Sequence, residues 1–166
     1  MNSAARSRRK VPAKGRNRPL ARMRIDKLGV KPNHDVLLLG IEDDEAFVGE
    51  LKARGARVRT SGAEAADLIF ATFRHRNDLR RLHPLVPRLK SDGMLWTLRP
   101  KGSKDLTEAE MMRAGQDAGL VDVKVVSFSA VLTAEKFVIP VAKRAAHRPR
   151  AAAPRTHGAS SSRGRT

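Results

Sequence analysis

Residues Gly93–Val125 read GMLWTLRPKGSKDLTEAEMMRAGQDAGLVDVKV, an apolar strand, a basic loop, a capped helix and the start of a second strand. Met94, Leu95, Trp96, Thr97 and Leu98 form a short β-prone run between a turn at Asp92-Gly93 and Pro100, the pattern of a parallel strand covered on both faces. The run opens into Arg99, Pro100, Lys101, Gly102, Ser103, Lys104 and Asp105. Thr107 and Glu110 have the capping-box spacing, in which each side chain satisfies a backbone N–H that the first helical turn leaves without a partner. The order strand, loop, helix, strand demands a right-handed crossover in an α/β sheet and puts any ligand crevice at the carboxyl ends of the strands.

Upstream, a short basic helix is expected over Leu20–Leu28, ending at Gly29 and packing through Leu20, Met23 and Leu28. Asp35–Leu39, DVLLL, is a near-continuous apolar run closed by Gly40, as in a central strand followed by a tight turn. A helix follows from Asp43 to Arg54, acids first and basic residues last, in keeping with the helix dipole, and Gly55 stops it. Ala56–Thr60 alternates as an edge strand does, and Asp67–Phe73 is a second apolar strand. The segment from Asn77 to Leu89 is helical but broken by Pro84 and Pro87. Downstream, Val121–Phe128 places Val121, Val123 and Val125 on one face, and a last strand runs from about Lys136 to Val141. The connection between these two is too short for a crossover helix and predicts an antiparallel hairpin.

Charge marks out the domain. Of 34 Lys/Arg and 17 Asp/Glu, residues 1–27 hold ten and one and residues 141–166 hold seven and none, so the formal +17 divides into +9, +7 and +1 for the stretch 28–140. The end segments are poor in large apolar residues and rich in Arg, Ala, Pro, Ser and Gly, a composition that cannot offset the entropy of ordering. The expected organisation is therefore a disordered basic tail over 1–19, one domain over 20–142 and a second disordered basic tail over 143–166. Like-charge blocks of this kind serve as tails for nucleic acid or another polyanion; a purely solubilising role is the alternative. With no cysteine, disulfides and thiolate metal sites are excluded, which fits a reducing, cytoplasmic setting. No apolar run approaches the roughly twenty residues that span a membrane, and no apolar segment follows the basic start as a secretory signal requires. The Arg-rich start also meets the loose composition of an organellar transit peptide, but the matching C-terminal segment points away from that reading.

Two resemblances follow from these motifs. The layout Asp67-Leu-Ile-Phe, Arg88-Leu-Lys-Ser-Asp-Gly93-Met-Leu-Trp96 and Ala118-Gly-Leu-Val-Asp122 resembles the class I S-adenosylmethionine-dependent methyltransferases over roughly residues 30–140. More specifically, Leu28-Gly-Val-Lys-Pro32, Leu95-Trp96, Pro100-Lys101, Asp105-Leu-Thr-Glu108, Gly119-Leu-Val-Asp122 with Lys124-Val125, and Lys136-Phe-Val138 resemble, in order, a bacterial family known only as a domain of unknown function. The likeness implies a three-layer Rossmann-like α/β domain of truncated methyltransferase type, with strand order 2-1-4-5-7-6 in that architecture's labels and a C-terminal antiparallel hairpin. It implies S-adenosylmethionine as the cofactor to consider, at Gly40 and Glu42. The first loop departs from the methyltransferase Gly-x-Gly-x-Gly pattern, since Leu39-Gly40-Ile41-Glu42-Asp43-Asp44 has one glycine and three consecutive acids. Between Ala56 and Ala66 there is also no room for the usual second helix and third strand, and no acid closes the second strand.

At the carboxyl edge the predicted topology gathers Gly40 and Glu42, then Arg74, His75 and Arg76, then Arg99, Lys101, Lys104 and Asp105. Arg74, His75, Arg99, Lys101 and Lys104 are the anion-binding candidates, suited to a nucleotide, phosphate or carboxylate; the plainer reading is that loop tips collect charge in any protein. His75 has no nucleophile beside it and no His/Asp/Glu cluster has metal-ligand spacing, so no catalytic residue is assigned. Trp96 belongs to the core on this reading, and its indole N–H requires an acceptor. The chain therefore reads as a non-catalytic binding protein whose cationic tails contact nucleic acid non-specifically. The alternative is a divergent S-adenosylmethionine-dependent transferase or nucleotide-binding enzyme. No membrane contact is expected, and the oligomeric state is left open by the sequence.

Overall fold

The computed structural model describes residues 24–151; the expectations for the first tail and for residues 152–166 lie outside them. A helical turn at 24–27 (α1) leads to strand β1 (Asp35–Leu39), helix α2 (Glu45–Arg54) and the short β2 (Arg57–Arg59). β3 (Ala66–Thr72) follows directly, with no helix between it and β2. A broken helical stretch then comprises 3-10 turns at Arg76–Arg81 and Val86–Arg88 around α3 (Leu82–Leu85), as the two prolines dictate. β4 (Leu89–Pro100), α4 (Glu108–Asp117), β5 (Val121–Ser127), β6 (Leu132–Val138) and a terminal turn α5 (Val141–Arg144) complete the described chain.

The six strands lie in the order β2-β1-β3-β4-β6-β5, parallel from β2 to β4 and antiparallel across β4–β6 and β6–β5. Relabelled, this is the expected 2-1-4-5-7-6. Helices cover both faces. On one, Ile25, Leu28, Phe47 and Leu51 pack against Val36, Leu38, Leu68, Phe70, Trp96 and Leu98. On the other, Leu82, Leu85 and Met111 pack against Leu37, Ile69, Ala71, Leu95 and Phe137. Trp96 is fully buried, lies parallel to Phe70 with 6.5 Å between ring centroids, and donates its indole N–H to the Leu28 carbonyl at 3.0 Å. The acceptor that its burial requires is therefore the end of α1.

Local chemistry sets the helix ends. Asp44 caps α2 by accepting from the Phe47 N–H at 3.0 Å, and Gly55 closes it at φ 95°, a left-handed conformation that glycine adopts without strain. In α4 the capping box is formed in both directions: Glu110 N–H donates to Thr107 Oγ1 at 3.2 Å and Thr107 N–H to Glu110 Oε2 at 3.0 Å.

Four expectations are corrected. Asp92-Gly93 is not a turn: β4 starts at Leu89, and an irregularity in its pairing with β3 absorbs the extra residues. β6 begins at Leu132 rather than near Lys136, and Val141 starts a helical turn instead of ending a strand. β5 carries a bulge between Asp122 and Lys124, which breaks its alternation and leaves Val121, Val123 and Val125 all exposed. Residues 143–150, expected to leave the domain, are bound to it. Ala65 N–H donates to Arg150 O at 3.0 Å, Arg150 N–H to Pro87 O at 2.7 Å, and His147 Nε2 lies 2.7 Å from Leu89 O. Because a carbonyl only accepts, that imidazole nitrogen carries the proton.

No helix of the described residues is long and apolar enough to cross a membrane.

Gly115 lies inside α4 against Phe137, and a Cβ there would meet a ring carbon at 2.2 Å. Alanine is the better helix former by about 1 kcal/mol, but overpacking a core costs about 1–3 kcal/mol. Gly115→Ala is therefore expected to lower stability against its propensity, and Gly115→Ala/Phe137→Leu to recover most of the loss. Urea unfolding of the two variants checks this.

Candidate functional site

The carboxyl edge of the parallel strands is formed by the loops after β1, β3 and β4. After β1, Gly40 turns the chain at φ 91° and packs so closely on Thr72 that a Cβ would lie 2.1 Å from its hydroxyl. Its N–H donates to both carboxylate oxygens of Glu42, at 2.8 and 3.0 Å. The N–H groups of Gly40 foremost, then of Glu42 itself and Ile41, hold that carboxyl below the ordinary carboxylate range. Consecutive backbone N–H groups in such a turn form an anion-binding concavity. Here the anion is the chain's own side chain.

After β3, Asp78 accepts from the N–H groups of Arg74 (2.8 Å) and His75 (3.0 Å) and so fixes the start of the 3-10 turn. The same two contacts, Arg74's the larger, lower the Asp78 pKa. Arg76 reaches across to α4 and ion-pairs with Glu110. That guanidinium first, then the Thr107 N–H, brings the Glu110 carboxyl down to about 2. His75, Arg76, Asn77 and Asp105 line an open cleft of about 340 Å³. In it His75 Nδ1 lies 3.9 Å from Asp105 Oδ2, with both side chains more than two-thirds exposed. A pair so exposed is weak, and the hydroxyl of Ser103 beside it accepts the Asp105 N–H at 3.1 Å.

Arg99 is not a wall of the crevice. It is 5% exposed, and its Nε and one terminal nitrogen donate to Glu135 Oε2 at 2.9 and 2.5 Å, while Thr97 Oγ1 donates to Glu135 Oε1 at 3.1 Å. Burial pushes the Glu135 carboxyl up, against the pull of Arg99 and Thr97. Lys101 points to the hairpin, donating to Ser127 Oγ at 2.7 Å. Lys104 is exposed. The predicted residues thus separate into a Gly40–Glu42–Thr72 group, a group of Arg74, His75, Arg76 and Asp105, a buried Arg99 pair, and Lys101 and Lys104 standing apart. With Arg76 neutralised and Asp105 beside His75, the cleft is of mixed charge rather than cationic.

Sequence reasoning missed Glu135 and the second partner of Glu110. Nothing in the sequence marks Glu135 as buried. Only its register opposite Thr97, two residues from Arg99, brings the three together. Among the described residues no group of three or more His, Asp or Glu is placed to hold a metal ion.

With this geometry the chain is similar to a SAM dependent methyltransferase from Aquifex aeolicus, at TM-score 0.56 and 15% identity over 72% of this chain and 89% of that one. The fold is that of the class I methyltransferases. It is also similar to a chain in the complex between the Haloferax volcanii Trm112 methyltransferase activator and the putative methyltransferase (TM-score 0.55, 12% identity, 76% and 95% covered). CalO1, a methyltransferase in calicheamicin biosynthesis solved in its SAH-bound form, gives TM-score 0.52 and 14% identity over 76% of this chain and 56% of its own. No protein-family model matches the chain, and no curated protein does.

Removing one partner of a buried ion pair strands the other charge, at a cost of about 3–5 kcal/mol, whereas replacing the pair by apolar residues is often neutral. Arg99→Met is therefore expected to destabilise the domain by about 3–5 kcal/mol, with Arg99→Met/Glu135→Leu recovering most of it, as read from denaturant midpoints at neutral pH. If the double variant is as unstable as the single one, the pair's role is wrongly assigned.

Proposed function

We propose that this chain is a non-catalytic binding protein built on a methyltransferase fold, whose cationic ends contact nucleic acid or another polyanion. The observation that carries the non-catalytic part is the Glu42 carboxylate on the Gly40 N–H. In the class I layout that loop receives the cofactor. Here its donors are engaged by an ionised side chain, which would repel a cofactor carboxylate at the same place. The loop as formed does not fit S-adenosylmethionine held in the usual manner.

The binding part rests on charge. Of the formal +17, +16 lies outside residues 28–140. Such segments bind phosphates without reading sequence, with affinity falling as roughly 0.9 log units per log unit of salt for each phosphate neutralised. Because residues 143–150 are part of the domain, the test removes only 1–19 and 152–166. That truncation is expected to abolish most duplex binding in fluorescence anisotropy while leaving the melting transition in place. A truncated chain that binds as the intact one does would overturn the tail reading.

A divergent transferase or nucleotide-binding enzyme is the second reading, favoured by the strand order of the six-stranded sheet and by the open cleft at His75 and Asp105. Calorimetric titration of the intact chain with S-adenosylmethionine and with adenine nucleotides separates the two. The expected result is no saturable heat; a saturable isotherm would replace the non-catalytic reading with this one.

A further inference from the structure

The amino edge of the sheet, opposite the Gly40 loop, gathers three arginines. Arg59 runs back along the sheet to Asp35 at the start of β1 and bonds the carbonyls of Ser61 and Glu64 in the loop before β3. Arg88, at the end of the helical stretch before β4, donates to Gly62 O in the same loop. Arg150 is held there through its backbone, by Ala65 N–H and Pro87 O, and its side chain is exposed.

The carboxylates nearby do not balance this charge. Asp35 is taken by Arg59 and Asp67 by Lys90, at 2.9 and 3.2 Å. Glu64 lies beside Gly62 but forms no ion pair with a described residue. Arg88 and Arg150 likewise have no carboxylate within ion-pairing distance among the described residues. Arg88 is half-buried, and its Nε is the one buried side-chain polar atom, among the described residues, with no hydrogen-bond acceptor. Burial first, then the charges of Arg59 and Arg150, depress its pKa, the direction expected of a guanidinium crowded by its own kind. The Arg88 guanidinium, bonded to the loop at Gly62, and the exposed side chain of Arg150, on a backbone pinned to Ala65 and Pro87, both lack counter-charges among the described residues and suit the oxygens of a phosphate, which accept from several N–H donors at once.

We propose that Arg88 and Arg150, with Arg59 seating the loop between them, form a phosphate-binding site at the amino edge, where a nucleic-acid backbone docks on the folded domain. The inference rests on the polyanion reading above and gives it a fixed point. Arg155, Arg163 and Arg165 follow Arg150 in the sequence, so a phosphodiester chain seated at the cluster lies where the C-terminal basic segment begins. The site needs neither the Gly40 loop nor the His75 cleft.

The test measures binding of a fluorescein-labelled DNA duplex to the full chain and to Arg88→Gln/Arg150→Gln. The charge-matched control is Arg80→Gln/Arg113→Gln, two exposed arginines away from the cluster. The cluster variant is expected to lose roughly tenfold more affinity than the control and to lower the slope of log affinity against log salt by about one unit per arginine removed. Arg150→Gln alone leaves the backbone contacts intact and decides the matter if Arg88→Gln impairs folding, as checked by melting. Equal affinity and slope in cluster and control variants overturn the site and leave the tail reading standing; an intact chain that fails to bind duplex at low salt overturns both. A second arm adds inorganic phosphate against chloride of equal ionic strength. A thermal shift with phosphate that vanishes in the cluster variant, with duplex binding unchanged, assigns the site to free phosphate and overturns the nucleic-acid docking.

Discussion

The ion pair between Arg99 and Glu135 joins the two halves of the sheet. Up to β4 the strands are parallel and held by apolar side chains on both faces; beyond it the hairpin runs the other way and must be fixed in register. A salt link buried beneath α4, with Thr97 completing the acceptor set of the carboxylate, penalises any slip of β6 against β4, because a slip would leave a charge without its partner in a dry interior. The same link withdraws Arg99 from the carboxyl edge. The arginine near the carboxyl end of β4 is turned inward, and what remains outside is a cleft of mixed charge.

The parts of the fold that were legible in the sequence are those where apolar period and local caps agree. DVLLL closed by Gly40, the apolar run Asp67–Phe73, and the Thr107–Glu110 box each specify their element from neighbours alone. β6 was harder to read because Glu135 and Lys136 read as solvent-facing residues. The one is buried by a partner 36 positions away, and the other lies over the Trp96 ring. The C-terminal segment was misjudged for a related reason. It is anchored by backbone hydrogen bonds at Ala65 and Pro87, and composition reports side chains, not main-chain pairing. At the site, the glycine after β1 and the acid two residues on were visible, but that one occupies the N–H of the other depends on a positive φ that letters do not state.

A methyltransferase-type sheet and a first loop closed on its own Glu42 are compatible because they draw on different residues. The sheet needs Leu37, Ile69, Leu95 and their neighbours to remain apolar; the loop needs only Gly40 to avoid Thr72. Glu42 fills the concavity from within, so the Gly40 N–H has a partner in the chain itself. Unbalanced charge has collected elsewhere, at the amino edge, where Arg88 and Arg150 have no carboxylate partner among the described residues.

The pairing of Arg150 with residues 65 and 87 also bears on how the chain is made. These contacts span sequence separations of 85 and 63 residues, from 150 − 65 and 150 − 87, and close the sheet's lower rim around β3 and β4. Long-range closures of this kind form late. During synthesis, β1 to β4 emerge first and wait with the Pro87 carbonyl and the Ala65 amide open to water. Completion of the domain is therefore tied to emergence of residues 143–150, which carry four of the chain's basic side chains.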